Sequence, residues 1–291
     1  MTLKIFQKGF NYSQDGQGNR LVYHLQGCNM KCLWCANPEG MPLGGVIFTD
    51  KEWLCDELCP HGAIRDKELD RTVCDKCETK ECLQAKYRSK GIRCSCEAVS
   101  VDEIFEEILG SSPMFYDGGG VTFTGGEATM QFEALKELLI RLKEADIHTA
   151  IETNGSHPRL PELFPYIDQL IMDCKHWSPE KHKKFTGVAI DHTLDNLMKA
   201  AMTGKKLDVR IPLIGGVNDS EEDMREFIEL YQTFAGENVT FEILKYHEFG
   251  KKKWGECGLT YEMTDEANVT YDQIKHFKEM IQENGLNYKK S

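Results

Sequence analysis

GVTFTGGEATMQFEALKELLIRLKEADIHTAIETNG, residues 120–155, contains one full repeat of the architecture. GVTFTGG (120–126) is rich in β-branched and aromatic residues and stops at glycines, so it reads as a strand with a turn behind it. QFEALKELLIRLKEA (131–145) spaces its apolar side chains as an amphipathic helix does. HTAIETNG (148–155) is a second strand. Two strands joined by a helix imply parallel neighbours in an α/β sheet.

The same alternation extends outward in both directions. LVYHLQ, from Leu21, is a strand running into the first cysteines, and VSVDEIFEEILG (99–110) has helical spacing. Downstream, QLIMDCK (169–175), KLDVRIPLI (206–214) and VTFEILKYH (239–247) are strands. HTLDNLMKAAMTG (192–204), SEEDMREFIELYQTF (220–234) and TYDQIKHFKEMIQENG (270–285) are helices. About six βα units fit an incomplete (β/α) barrel, and an open doubly wound sheet fits the same pattern. In both, the site belongs at the C-terminal ends of the strands.

The 291 residues carry a net charge of −12. Such a field argues against nucleic acid or an anionic membrane as partner. There is no apolar signal core at the N-terminus and no run long enough to span a bilayer, so a cytoplasmic protein is expected. Twelve cysteines without a secretory signal suggest metal or cluster ligation rather than disulfides. Cys28, Cys32 and Cys35 lie on one short loop; Cys55, Cys59, Cys74, Cys77, Cys82, Cys94 and Cys96 crowd into a second region; Cys174 and Cys257 stand apart. Cys174 reads as a small buried apolar residue, Cys257 has no evident partner, and Lys251, Lys252 and Lys253 read as a solvated surface run.

Cys28-x3-Cys32-x2-Cys35 can hold three irons of a four-iron cubane, which would leave the fourth open to another ligand. Zinc with a remote fourth ligand, or plain buried thiols, would satisfy the spacing as well.

CNMKCLWC (28–35) resembles the CxxxCxφC signature of radical S-adenosylmethionine (SAM) enzymes, with Trp34 as the aromatic φ. SQDGQGNR (13–20), ANPEG (36–40), DGGGVTFTGGEATMQ (117–131), ETNG (152–155), MDCKH (172–176) and KYHEFGKKKW (245–254) are similar, in the same order, to motifs of glycyl radical enzyme activating enzymes of the pyruvate formate-lyase activating type. Gln17, Asn19 and Ala128 depart from the usual pattern. The resemblance covers nearly the whole chain and implies a partial (β/α)6 TIM-like barrel at 1–44 and 99–291, with a Cys-rich ferredoxin-like insert at 45–98.

It also implies the chemistry. Cys28, Cys32 and Cys35 would hold a [4Fe–4S] cluster whose open iron chelates SAM. One electron then cleaves SAM to a 5′-deoxyadenosyl radical, which takes a hydrogen from a glycine Cα in a partner glycyl radical enzyme. Gly125, Gly126 and Glu127 would meet the SAM amino group; Glu152, Thr153, Asp173 and Lys175 its carboxylate and ribose; His247 its ribose or adenine; Trp34 its adenine, unless that ring simply packs. Plain strand-end capping is the alternative for the polar strand ends. Arg210 would be costly to bury unpaired, so either SAM or a carboxylate is its partner. Some activating enzymes add a monovalent cation and carry Met two residues before the aspartate; Ile171 stands there.

In the insert, Cys55-x3-Cys59-Pro60 matches only the tail of a two-cluster ferredoxin motif, and Cys74-x2-Cys77-x4-Cys82 resembles a stretched second copy. By that logic Cys74, Cys77, Cys82 and Cys59 hold one auxiliary cluster. Cys55, Cys94 and Cys96 are the remnant of another, which needs a further ligand such as His61 or an open iron. Zinc on the same thiolates is the alternative. A low-potential donor, flavodoxin or ferredoxin, would supply electrons. Two other functions stay open: a radical SAM enzyme acting on a small molecule or peptide, and a non-catalytic iron–sulfur protein.

Overall fold

The computed structural model describes residues 1–83 and 91–289; residues 84–90 of the expected insert lie outside the described residues. An eight-stranded sheet dominates. Its members are β1 (Thr2–Tyr12), β2 (Asn19–Leu25), β7 (Glu97–Ser100), β8 (Gly120–Gly125), β9 (Thr149–Thr153), β10 (Gln169–Asp173), β11 (Lys206–Leu213) and β12 (Val239–Lys245). The intervening short strands are β3 (Ile47–Thr49), β4 (Ile64–Arg65), β5 (Glu68–Leu69) and β6 (Ile92–Cys94).

Strand order decides between the two candidate architectures. From β12 to β2 it runs 12-11-10-9-8-2, each strand parallel to the next. A doubly wound sheet reverses its order at a switch point; this one never reverses, so it is the six-stranded partial barrel. β1, which was not anticipated, pairs antiparallel with β2, and β7 pairs antiparallel with β1. Glu97 and Ala98 therefore pair with Ile5 and Lys4 of the main sheet.

The barrel strands alternate. Val121, Phe123, Leu207, Val209, Ile211, Phe241 and Ile243 are buried in the main apolar core. Between them, Thr122, Thr124, Asp208, Arg210 and Glu242 are buried polar residues. A strand's period of two sends these sets to opposite faces, so the barrel has an apolar jacket and a polar lumen. Helices cover the jacket: α2 (Val101–Ser111), α3 (Phe132–Glu144), α5 (Asp191–Ala201), α6 (Glu221–Gln232) and α8 (Tyr271–Glu283). α3 buries Leu135, Leu138, Leu139 and Leu142. Cys174 is fully buried in the same core. The helix expected from residue 99 starts two residues later, because Ser100 and Glu103 form a capping box.

The lumen is closed below by the loop between β1 and β2. Thr122 Oγ1 donates to the Asp15 carbonyl at 2.6 Å, and Gln17 N–H donates to Gln169 Oε1 at 3.1 Å. Arg20, wholly buried, donates to Thr122 Oγ1 and the Val121 carbonyl at 2.7 Å each. Arg210 donates from Nη2 to the Gln14 carbonyl.

Residues 47–94 make two small sheets of their own, β3–β6 and β4–β5, with the short helix α1 (Arg71–Cys74). Their core is small: Ile47, Leu54, Ala63, Ile64, Cys74 and Ile92.

Candidate functional site

At the C-terminal ends of the barrel strands lies a cavity of about 310 Å³, and Cys28, Cys32 and Cys35 all line it. β2 ends at Leu25, so the cysteine loop begins at the strand's C-terminal edge. Two anchors hold its far end. Trp254 Nε1 donates to the Cys35 carbonyl at 2.8 Å, and Lys253 pairs with Glu39 at 2.6 Å while donating to Asn37 Oδ1 at 2.8 Å. Both anchors sit on α7 (Lys251–Glu256), a helix that was not expected; α1 and α4 (Pro179–Thr186) were not expected either. Lys253 is therefore not part of a solvated run; Lys251 and Lys252 do lie outside and pair with Glu248 and Glu256.

The three thiols fit an iron–sulfur cluster by chemistry and burial. Burial pushes all three above the ordinary thiol range, Cys35 to about 12. A bound cation is then what holds them as thiolates. No three His, Cys, Asp or Glu groups among the described residues converge on a single ion-sized point.

Gly125 and Gly126 open the wall beside the loop. A Cβ on Gly126 would lie 2.5 Å from the Gly27 carbonyl oxygen and 2.6 Å from that of Gly40, so a side chain there would push the GGE turn off the cluster loop. Gly125 has φ +130, a conformation closed to other residues.

Glu127 does something the motif did not announce. Its Oε1 accepts from Thr129 N, Thr129 Oγ1 and Thr153 Oγ1 at 2.9, 2.5 and 2.7 Å, and its Oε2 accepts from Asn154 N at 2.7 Å. The carboxylate staples the end of β8 to the end of β9, and its hydrogen-bonding capacity is spent mainly on the protein.

Arg210 is likewise committed to carboxylates. It bridges Glu152 at 2.5 Å and Glu242 at 2.9 Å and does not line the cavity. Burial opposes its charge, but the two carboxylates more than offset this and hold its pKa above the ordinary value. Of the two partners considered from sequence, the structure shows the carboxylates. Glu152 also accepts from Thr124 Oγ1 at 3.0 Å and presents itself to the cavity.

Lys175 and Asp173, 2.7 Å apart, both face the cavity. Burial works against the ammonium; Asp173, with Cys32 and Cys28 nearby, outweighs it and raises the pKa. Lys175 thus brings a fixed positive charge to the thiols. His247 lines the cavity and stacks on Phe249, ring centroids 4.2 Å apart. Trp34 lines it and packs at 6.3 Å from Phe185. Thr153 lines it too, with its hydroxyl turned to Glu127.

Sequence reading missed Asp15, His24, Asn154 and Tyr246, which also line the cavity. Asp15, Asn154 and Tyr246 lie inside quoted motifs and carried a signal. His24 sits in what reads as an apolar strand and carried none.

In the insert, the thiols acting on Cys74 after its burial are Cys82 and Cys59, and those acting on Cys82 are Cys59 and Cys77. Cys59, Cys82 and Cys94 pack against the small core that holds Cys74. Cys55 is exposed, and Cys94 and Cys96 face each other with sulfurs 4.0 Å apart. Cys257 is buried against Val46 and Phe48, at the seam between insert and barrel.

Comparison with known proteins agrees with this geometry. Residues 22–228 match the model of the radical SAM superfamily. The chain is 33% identical over 291 residues to the 4-hydroxyphenylacetate decarboxylase activating enzyme of Clostridioides difficile (strain 630), covering 94% of this chain and 90% of that protein. It is 33% identical over 267 residues to the choline trimethylamine-lyase activating enzyme of Oleidesulfovibrio alaskensis, covering 85% and 84%. A radical SAM methyltransferase from Sphaerobacter thermophilus shares the fold, with a TM-score of 0.57 at 12% identity over 96% of this chain and 67% of that one. No helix among the described residues is long and apolar enough to cross a membrane. Three thiols lining the mouth of a six-stranded partial barrel, and relatives that share nearly the whole chain, place it in the radical SAM superfamily, among the activating enzymes of glycyl radical enzymes.

Proposed function

We propose that the chain installs a radical on one glycine of a partner glycyl radical enzyme, with Cys28, Cys32 and Cys35 holding the SAM-binding [4Fe–4S] cluster. The observation that carries this reading is the convergence of those cysteines with Gly125, Gly126, Glu152, Asp173, Lys175 and His247 around one cavity. When bound, cluster and SAM supply a one-electron cleavage that ends with a hydrogen atom taken from a glycine Cα. The protein's part is positional. Gly125 and Gly126 let backbone reach the ligand, and Trp34, Ile214 and Tyr246 wall it off from water. Lys175 and Asp173 set a fixed charge pair beside the thiols, and Arg210 and Thr124 orient Glu152.

An auxiliary cluster on Cys59, Cys74, Cys77 and Cys82 belongs to the same proposal. The shared core of Cys59, Cys74 and Cys82 supports it, and Cys77 follows Cys74 by three residues. A flavodoxin- or ferredoxin-like donor would feed it. Relatives activate a decarboxylase and a lyase, so the partner enzyme is sought among such glycyl radical enzymes.

The test is anaerobic: reconstitute, reduce, add SAM and a panel of glycyl radical enzymes, and record EPR while assaying 5′-deoxyadenosine. A glycyl doublet on one member with matching deoxyadenosine is expected. Reconstituted protein that makes no deoxyadenosine would overturn the proposal.

A further inference from the structure

Cys94 packs, with Cys59 and Cys82, against the small core that holds Cys74, and the surroundings of the Cys94–Cys96 pair are specific. Cys94 closes β6 and Cys96 precedes β7. The chain bends at Ser95 between them, and the two sulfurs lie 4.0 Å apart. Gly45 is pressed onto both, because a Cβ there would sit 2.7 Å from each sulfur. Its φ of +74 excludes a side chain independently. Ser95 between them is buried, accepting from Val46 N at 2.8 Å and donating to the Glu39 carbonyl at 3.3 Å. Glu39 is the residue that Lys253 grips behind the cluster loop.

We infer that Cys94 and Cys96 form a reversible dithiol–disulfide site at the seam between insert and barrel, distinct from any cluster. The oxidant is a small-molecule disulfide such as oxidised glutathione. One thiolate attacks it and releases a thiol, and the second thiolate displaces the other. The cysteine pair loses two electrons and two protons, and the oxidant becomes two thiols. Closing the sulfurs from 4.0 Å to bonding distance, about 2 Å, needs only local movement. That movement shifts Ser95, and with it the hydrogen bond to Glu39. A ring spanning a single intervening residue is tight and readily reduced, as suits a switch rather than a structural staple.

The test uses the reconstituted holoprotein. It is equilibrated anaerobically in glutathione buffers from reduced to oxidised, free thiols are alkylated, and the peptide holding residues 94–96 is weighed. The doubly alkylated form is expected to fall at least about tenfold as the buffer turns oxidising. In parallel, iron is counted in the Cys94→Ser/Cys96→Ser variant, whose near-isosteric changes preserve packing; the full complement is expected. Alkylation that ignores the buffer would overturn the inference. So would loss of iron from the variant, which would make these thiols cluster ligands.

Discussion

The two cysteine regions are built on opposite principles. Cys28, Cys32 and Cys35 follow a fully hydrogen-bonded strand, are walled by other strand ends, and are clamped behind by Trp254 and Lys253. The insert's cysteines sit on or between elements of two to four residues around a core of a few side chains. A core that small does not hold a domain unaided; metal or cluster bonds usually do. In the barrel the protein positions the ligands. In the insert, on the proposed reading, the ligands would position the protein.

Substituting one cysteine in each region contrasts them most sharply. Cys32→Ala should abolish SAM cleavage. Cys59→Ala should remove about four irons yet leave cleavage intact under a strong chemical reductant. Loss of cleavage in both variants, by deoxyadenosine assay, would erase the distinction.

Removing the metal comes next. After chelation, limited proteolysis should cut within residues 45–98 while the barrel stays protected. Equal protection of both regions would show that the insert folds unaided.

Within the barrel, Glu127→Gln replaces an acceptor-only group with one that points donors at donors. The cost should be about 3 kcal/mol, read as a lower melting temperature. The matching insert change, Asp70→Ala at the exposed cap of α1, should cost about 1 kcal/mol.

A further contrast is a pH dependence confined to the barrel. Buried His176 accepts from Ser178 N at 3.0 Å on Nδ1, and its Nε2 lies 3.1 Å from the Val217 carbonyl. The neutral Nε2–H tautomer satisfies both, and burial lowers the pKa from 6.5 to about 4. The unfolded chain takes the proton first, so this stability is complete above pH 6.5 and is lost as pH falls towards 4, by up to about 1.4 kcal/mol per unit. Denaturant titrations of wild type and His176→Asn should diverge in slope over that window only.

The same contrast explains what was legible in the sequence. The barrel strands and α3, α5, α6 and α8 showed their periodicity plainly, because each buries one face against a large core. β1 was missed: its burial pattern mixes exposed and buried positions without clean alternation beyond Ile5. α7 was hidden by its three lysines, since charge at Lys253 reads as surface until Glu39, far off in sequence, appears beside it. The cysteine loop and the GGE and ETNG strand ends were legible as motifs. Glu127's role was not, because its four donors come from backbone and threonines that no pattern ties to a carboxylate. The pairing of Cys94 with Cys96 was not legible either, since it depends on Gly45 meeting them across the fold.

The sealed floor of the barrel dictates a sequence of events. With the Gln14–Gln17 segment wedged across the bottom and held by Thr122, Gln169 and Arg210, the described residues close the floor, and on the proposed function SAM and a protein partner would share the mouth. SAM would then enter before the partner arrives, and methionine and deoxyadenosine would leave after it withdraws. Steady-state turnover should therefore be ordered, with excess partner trapping the spent enzyme as a dead-end complex.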